Sequence, residues 1–241
     1  MINWRVYTVS AAVIIAVILI TYLFWFAPEG ERVEVKETKG LVDLPSPQTT
    51  GEISVEKGIA RRRSIRSYSE KPLTLEQVSQ LMWSAQGITG GGGEKRAAPS
   101  AGMTYPLELY IVVGSQGVKG LENGLYHYIP EKHQLERVFT GDLRRELADA
   151  ALDQKWVEGA PVDVIVTAIY SRTTNRYGDR GRRYVHMEAG HVGQNLYLQS
   201  ESLGLGMVVV GAFNDDKIQE VLKLPKRRKP LYIIPIGYPS E

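Results

Sequence analysis

Four guanidinium groups and a hydroxyl fall within six consecutive residues, Arg61-Arg62-Arg63-Ser64-Ile65-Arg66. The planar fork of arginine suits bidentate contact with phosphate oxygens, and serine adds a short donor. The same hexamer could serve as a solvated basic turn or a face for anionic lipid. The interleaved Ser64 and Ile65 argue against a purely electrostatic tail. Other chemistries are excluded by residue type. There is no cysteine, which removes disulfides, thiolate nucleophiles, cysteine-ligated iron–sulfur clusters and Cys-based zinc sites. His186, Glu188 and His191 share a helical stretch, but a five-residue spacing turns the two imidazoles about 140° apart, so no metal site is expected. A Gly-x-Ser-x-Gly elbow is absent, which argues against a serine hydrolase. The run Gly87-Ile88-Thr89-Gly90-Gly91-Gly92-Gly93 lacks a leading strand and a closing Gly-Lys-Ser/Thr, and reads as a flexible loop. Gly204-Leu205-Gly206 with Gly211 follows a helix and enters a strand, the reverse of a dinucleotide fingerprint. With 29 basic against 27 acidic residues, no overall field points to nucleic acid.

The elements that must position these residues follow from periodicity and punctuation. Thr74-Leu75-Glu76-Gln77 has the form of a capping box, with Leu75, Val78, Leu81, Met82 and Ala85 at helical spacing and Gly87 as the stop. Residues 107–113 read as a strand, and 125–129 with 134–139 as a hairpin around Pro130-Glu131-Lys132-His133. Residues 141–156 read as helix and 162–169 as a buried strand entered through Pro161. The clearest helix spans 183–203, with Val185, Ala189, Val192, Leu196 and Leu203 on one stripe and Gly204 ending it. A strand over 206–212, a short helix over 215–222 and a last strand over 231–238 complete the order. Helices and strands mix without regular βαβ alternation, which predicts α+β architecture.

Residues 6–27 carry no charge, long enough as a helix to cross a hydrocarbon core, with Trp4, Tyr22 and Trp25 near the ends. Residues 1–27 are therefore expected to be an uncleaved single-pass transmembrane anchor, 28–54 a tether that drapes over the domain, and 55–241 one folded domain. The positive-inside count places that domain on the cytoplasmic side.

Four segments, in order and at matching spacing, resemble the nitroreductase superfamily and most closely its SagB-type dehydrogenase branch. They are Arg62-Arg63-Ser64-Ile65-Arg66; Pro99-Ser100-Ala101-Gly102 with Tyr105-Pro106-Leu107-Glu108; Glu188-Ala189-Gly190-His191-Val192-Gly193-Gln194-Asn195; and Leu203-Gly204-Leu205-Gly206. The resemblance implies an α+β sandwich with a central, mainly antiparallel sheet flanked by helices, and a homodimer with FMN at the interface. It implies that Arg62, Arg63, Ser64 and Arg66 hold the FMN phosphate and ribityl chain. Pro99, Ser100, Ala101 and Gly102 would reach the flavin from the partner subunit, and Val210, Gly211 and Ala212 would lie against the isoalloxazine ring. It further implies two-electron hydride transfer, with NAD(P)H as donor and a nitro, quinone or other conjugated small molecule as acceptor. A SagB-like oxidation of azoline rings in a modified peptide stays open, as does a non-catalytic flavin-binding or sensing role. Because the flavin itself carries the hydride, no catalytic side chain is assigned. Tyr105, Tyr177 and Tyr184 stay open as proton donors or stacking groups.

Overall fold

The computed structural model describes residues 36–240 of the 241-residue chain. In chain order the elements are β1 (Lys36–Asp43), α1 (Val55–Arg61), α2 (Leu75–Gln86), β2 (Ile88–Gly90), β3 (Lys95–Arg96), β4 (Leu107–Val113), β5 (Gly124–Ile129) and β6 (Gln134–Thr140). There follow α3 (Arg144–Ala150), α4 (Lys155–Glu158), β7 (Val162–Ala168), α5 (Ser171–Tyr177), α6 (Arg180–Ser202), β8 (Gly206–Met207), α7 (Asp215–Val221) and β9 (Lys229–Gly237). Seven strands make one sheet in the order β1-β6-β5-β4-β7-β9-β8, every neighbouring pair antiparallel.

Local chemistry accounts for the best-defined elements. The capping box at the start of α2 closes in both directions: the Gln77 N–H donates to Thr74 Oγ1 at 3.3 Å and the Thr74 N–H to Gln77 Oε1 at 3.0 Å. Val78, Leu81 and Met82 of α2 and Val185, Val192 and Leu196 of α6 pack on one sheet face. Leu147 of α3, Val157 of α4 and Ile218 of α7 cover the other, over Tyr110, Val112, Ile165 and Ile233. These helices thus bury apolar faces against the two sides of the sheet, which is the α+β sandwich expected from the mixed element order.

Three local expectations differ from the structure. The helix read over 141–156 is broken where Leu152 and Asp153 adopt left-handed φ of 61° and 58°, leaving α3 and α4. The strand read over 206–212 pairs regularly only as Gly206–Met207, then resumes as a single bridge from Val210 to Ile233. Val208 lies opposite Pro235, which has no N–H to return to the ladder. Residues 36–43, inside the segment read as a tether, form the sheet strand beside β6.

The expected transmembrane helix is corrected as well. Among the described residues no helix is long and apolar enough to cross a membrane, and the stretch on which the anchor was read, residues 1–27, lies outside them. The 23-residue α6 has the length, but Arg180, Arg182, Arg183 and Glu188 deny it an apolar span. Within the described residues nothing supports the single-pass architecture, the membrane contact or the membrane localisation.

Candidate functional site

The arginine segment lies along the edge of the sheet. Ser64 pairs in parallel with Met207, and the Ile65 N–H donates to the Met207 carbonyl at 2.9 Å. A glycine at 206 makes this approach possible, because a Cβ there would sit 2.8 Å from the Ile65 side chain. Tyr197 of α6 ties the two strands together: its hydroxyl accepts from the Val209 N–H at 3.2 Å and shares a hydrogen bond with Ser64 Oγ at 2.9 Å. The Arg62 guanidinium lies 4.9 Å from the centre of the Tyr197 ring. Arg66 lies 5.5 Å from the centre of the Trp156 ring of α4, and Gln154 beside that helix donates to the Ala212 carbonyl at 2.8 Å. Arg63 turns back on its own chain, donating to the carbonyls of Ala60 and Arg62.

Ser64 is thereby linked through Tyr197 to Val209, and Arg66 lies over α4, whose neighbour Gln154 holds Ala212, so the two links flank Val210 and Gly211. Val210 is buried and exchanges both backbone hydrogen bonds with Ile233, whereas Gly211 and Ala212 are exposed. Among the described residues no carboxylate pairs with Arg62, Arg63 or Arg66; the neighbouring Arg61 takes Glu201. Guanidinium groups without a counter-charge, a hydroxyl and exposed backbone form a donor set that fits a phosphate-bearing planar ligand such as FMN.

Pro99, Ser100, Ala101 and Gly102 lie elsewhere, around the other half of α6. Met103, Tyr105 and Gly102 all take positive φ, a concentration of unusual backbone that α5 holds in place. Arg176 donates to the Gly102 carbonyl at 3.0 Å, Arg172 to the Tyr105 carbonyl at 2.9 Å, and Thr104 and Thr173 share a hydrogen bond of 2.8 Å. Glu188, whose carboxyl the Ser100 hydroxyl pulls down, precedes Tyr197 by nine residues, about 13 Å along a helix. One copy of the chain therefore separates the two groups of expected ligands. Gly102→Ala should lower stability by about 1–2 kcal/mol from its left-handed φ alone, and more because the new Cβ would lie 2.5 Å from the Tyr177 hydroxyl. Thermal unfolding checks this.

A polar chain runs behind that loop. Glu188, 2% exposed, accepts from Gln86 Nε2 at 3.4 Å; Gln86 Oε1 accepts from Arg96 at 3.3 Å; Arg96 pairs with Glu131 at 2.7 Å. Burial pushes the Glu188 carboxyl up to about 7, against the pull of Ser100, Gln86 and Arg96. Gln86 and Arg96 also wall a cavity of about 430 Å³ in which Glu108 binds His127 at 2.6 Å and Arg172 at 2.5 Å. Despite its burial, those partners hold the Glu108 carboxyl down at about 2. Sequence reasoning missed Tyr197, Trp156 and Gln154. Tyr197 carried a faint signal, an amphipathic aromatic adjoining the apolar stripe of the long helix.

The family model described as "Nitroreductase family" matches residues 59–238. The candidate nitroreductase MJ1384 of Methanocaldococcus jannaschii is 50% identical over 79% of this chain and 93% of its own length. The microcin B17-processing protein McbC of Escherichia coli is 25% identical over 81% of this chain and 74% of its own. An FMN reductase (NADPH) of Bacillus subtilis is 24% identical over 76% and 65%. Among solved structures, a candidate nitroreductase of Anabaena variabilis superposes with a TM-score of 0.73 at 31% identity, covering 84% of this chain and 42% of that one. The chain belongs to the nitroreductase family and is an FMN-dependent oxidoreductase. Its likeness to McbC fits the SagB-type branch that its motifs resemble.

Proposed function

We propose that two copies of the chain bind FMN between them and use it to pass two electrons from NAD(P)H to a small conjugated acceptor such as a nitro compound or quinone. The observation that carries this reading is the set of arginines without a carboxylate partner among the described residues, Arg62, Arg63 and Arg66, linked through Ser64 and Tyr197 to Val209 and, beside Trp156, through Gln154 to Ala212. Arg62, Ser64 and Arg66 would hold the phosphate and ribityl chain, and Arg63 would add charge. Residues 210–212 would lie along the ring system, and a backbone N–H there would favour electron-rich forms of the ring. Pro99 to Gly102 would complete the site from the second copy, in keeping with their distance from the arginines within one chain. The bound flavin supplies the hydride chemistry, and the protein orients it and limits water access.

A second reading, oxidation of an azoline ring in a modified peptide, draws support from the similarity to McbC. The visible spectrum of the purified full-length protein separates the two when NADH or NADPH is added without oxygen. Flavin bands that bleach are the expected result. Bands that persist with both nucleotides would favour the peptide reading, and a colourless protein that takes up no added FMN would overturn both.

A further inference from the structure

The central sheet opens where two neighbouring strands part. The β4–β5 ladder runs from Val113 with Gly124 and ends at Tyr110 with His127. Beyond that point Leu107, Glu108 and Leu109 of β4 continue against β7, while Tyr128 and Ile129 of β5 continue against β6. The cavity of about 430 Å³ is lined by both arms of this fork, with Leu107 and Leu109 on one and Ile129 and Pro130 beside the other. A concave space of that size, mostly apolar with a few charged groups, is the usual form of a small-molecule site.

The charged groups do not balance. Arg96, Arg172 and Arg228 line the cavity against only Glu108 and Glu131. Arg96 and Glu131 answer each other at 2.7 Å. Glu108 commits both oxygens, Oε1 to Arg172 at 2.5 Å and Oε2 to His127 at 2.6 Å. Arg228 comes third, with its Nη2 4.0 Å from Glu108 Oε2, beyond hydrogen-bonding distance. Its Nη1 donates to the Tyr110 hydroxyl, and its Nε is enclosed with no partner among the described residues. A partly buried guanidinium is costly without a counter-charge of its own, and a network built only for stability would supply one.

We propose that this fork binds a small monocarboxylate with an apolar tail. The carboxylate accepts from Arg228, whose planar guanidinium suits two oxygens, and supplies the charge that Glu108 leaves unanswered. The tail lies among Leu107, Leu109, Ile129 and Pro130. A singly charged anion fits better than a phosphate dianion, because three guanidiniums face two carboxylates and the excess is one. Within one chain the site is separate from the arginine segment, since β7 and β9 stand between β4 and the β8 margin where Ser64 pairs.

The test titrates the full-length protein with sodium hexanoate at neutral pH, followed by ligand-detected NMR. Hexanoate should bind saturably, with a dissociation constant on the order of 1 mM for a ligand of its size. Hexanamide has the same shape without the charge and should bind about tenfold more weakly. Arg228→Gln should weaken hexanoate by about 10–100-fold and leave FMN uptake and the circular dichroism spectrum as in the wild type. A wild type that ignores hexanoate, or takes hexanamide equally well, would overturn the proposal. So would a folded Arg228→Gln that holds hexanoate undiminished. Inorganic phosphate that displaces hexanoate more effectively than acetate does would overturn the choice of a monocarboxylate. Should Arg228→Gln fail to fold, the comparison of hexanoate with hexanamide on the wild type decides. A wild type that binds hexanoate but takes up no FMN would sink the functional reading and leave this site standing.

Discussion

Replacing Arg62 and Arg66 together by alanine should weaken FMN binding by about 10²–10⁴-fold, since each hydrogen bond to a charged group contributes about 1.5–3 kcal/mol and each 1.4 kcal/mol is a factor of ten. The fold should survive. Arg66 is exposed, Arg62 is half-buried, and neither is held by a described carboxylate. Their contacts with Tyr197 and Trp156 are cation–π approaches of the kind that adds about 0.5–1 kcal/mol at exposed sites. Fluorescence titration of FMN-free protein measures the loss, and circular dichroism reports whether the fold is intact. Undiminished FMN affinity in a folded double variant would remove the phosphate role from this segment. A single Arg63→Ala should do less, because that guanidinium is turned toward the carbonyls of Ala60 and Arg62.

The second large effect is expected inside the sheet. Asp163 of β7 is completely buried, shares its face with Ile165, and has no hydrogen-bond partner for either carboxyl oxygen among the described residues. Burial pushes its carboxyl well above the usual range, opposed by Arg144 and reinforced by Asp142. The native state therefore holds the proton more tightly than the unfolded chain does. Stability from this group is fully present below the ordinary carboxylate pKa of about 4 and is lost as pH rises through the elevated native value. Asp163→Asn removes the titration. The variant and the wild type should unfold alike near pH 4, and the variant should be the more stable by about 1–3 kcal/mol at pH 8, the usual cost of an unsatisfied buried group. Urea unfolding at the two pH values measures it. A wild type that gains on the variant as pH rises would mean that Asp163 is a paired carboxylate.

The parts of the fold legible in sequence were those decided by neighbours along the chain. The capping box at Thr74, the strand over 107–113 and the stripe of the long helix all follow from residues within one or two turns of each other. Elements decided by distant partners were not legible. β1 has no apolar alternation because it is an edge strand, with Leu41 exposed at 57%. The break between α3 and α4 is made by Leu152 and Asp153 in left-handed conformations, without the glycine that usually announces one. Pro235, opposite Val208, shortens β8 from across the sheet. The site shows the same division. Arg62, Ser64 and Arg66 stood out by type and spacing, whereas Tyr197 and Trp156 serve the site only because α6 and α4 bring them there. Glu188 was visible as part of a motif, but its isolation from charge partners is a property of packing.

The strand β1 lies wholly ahead of residue 59, where the family match begins. It gives β6 its outer hydrogen-bonding neighbour, and the Ser64–Ile65 segment does the same for β8 at the opposite margin. An open margin offers free amides and carbonyls to any passing chain and is a common route to aggregation. β8 is covered by a segment that also carries the arginines, and β6 by residues that precede the family match. Keeping the protein from sticking to its own copies along β6 is thus the task of a stretch that lies outside the span matched by the family model.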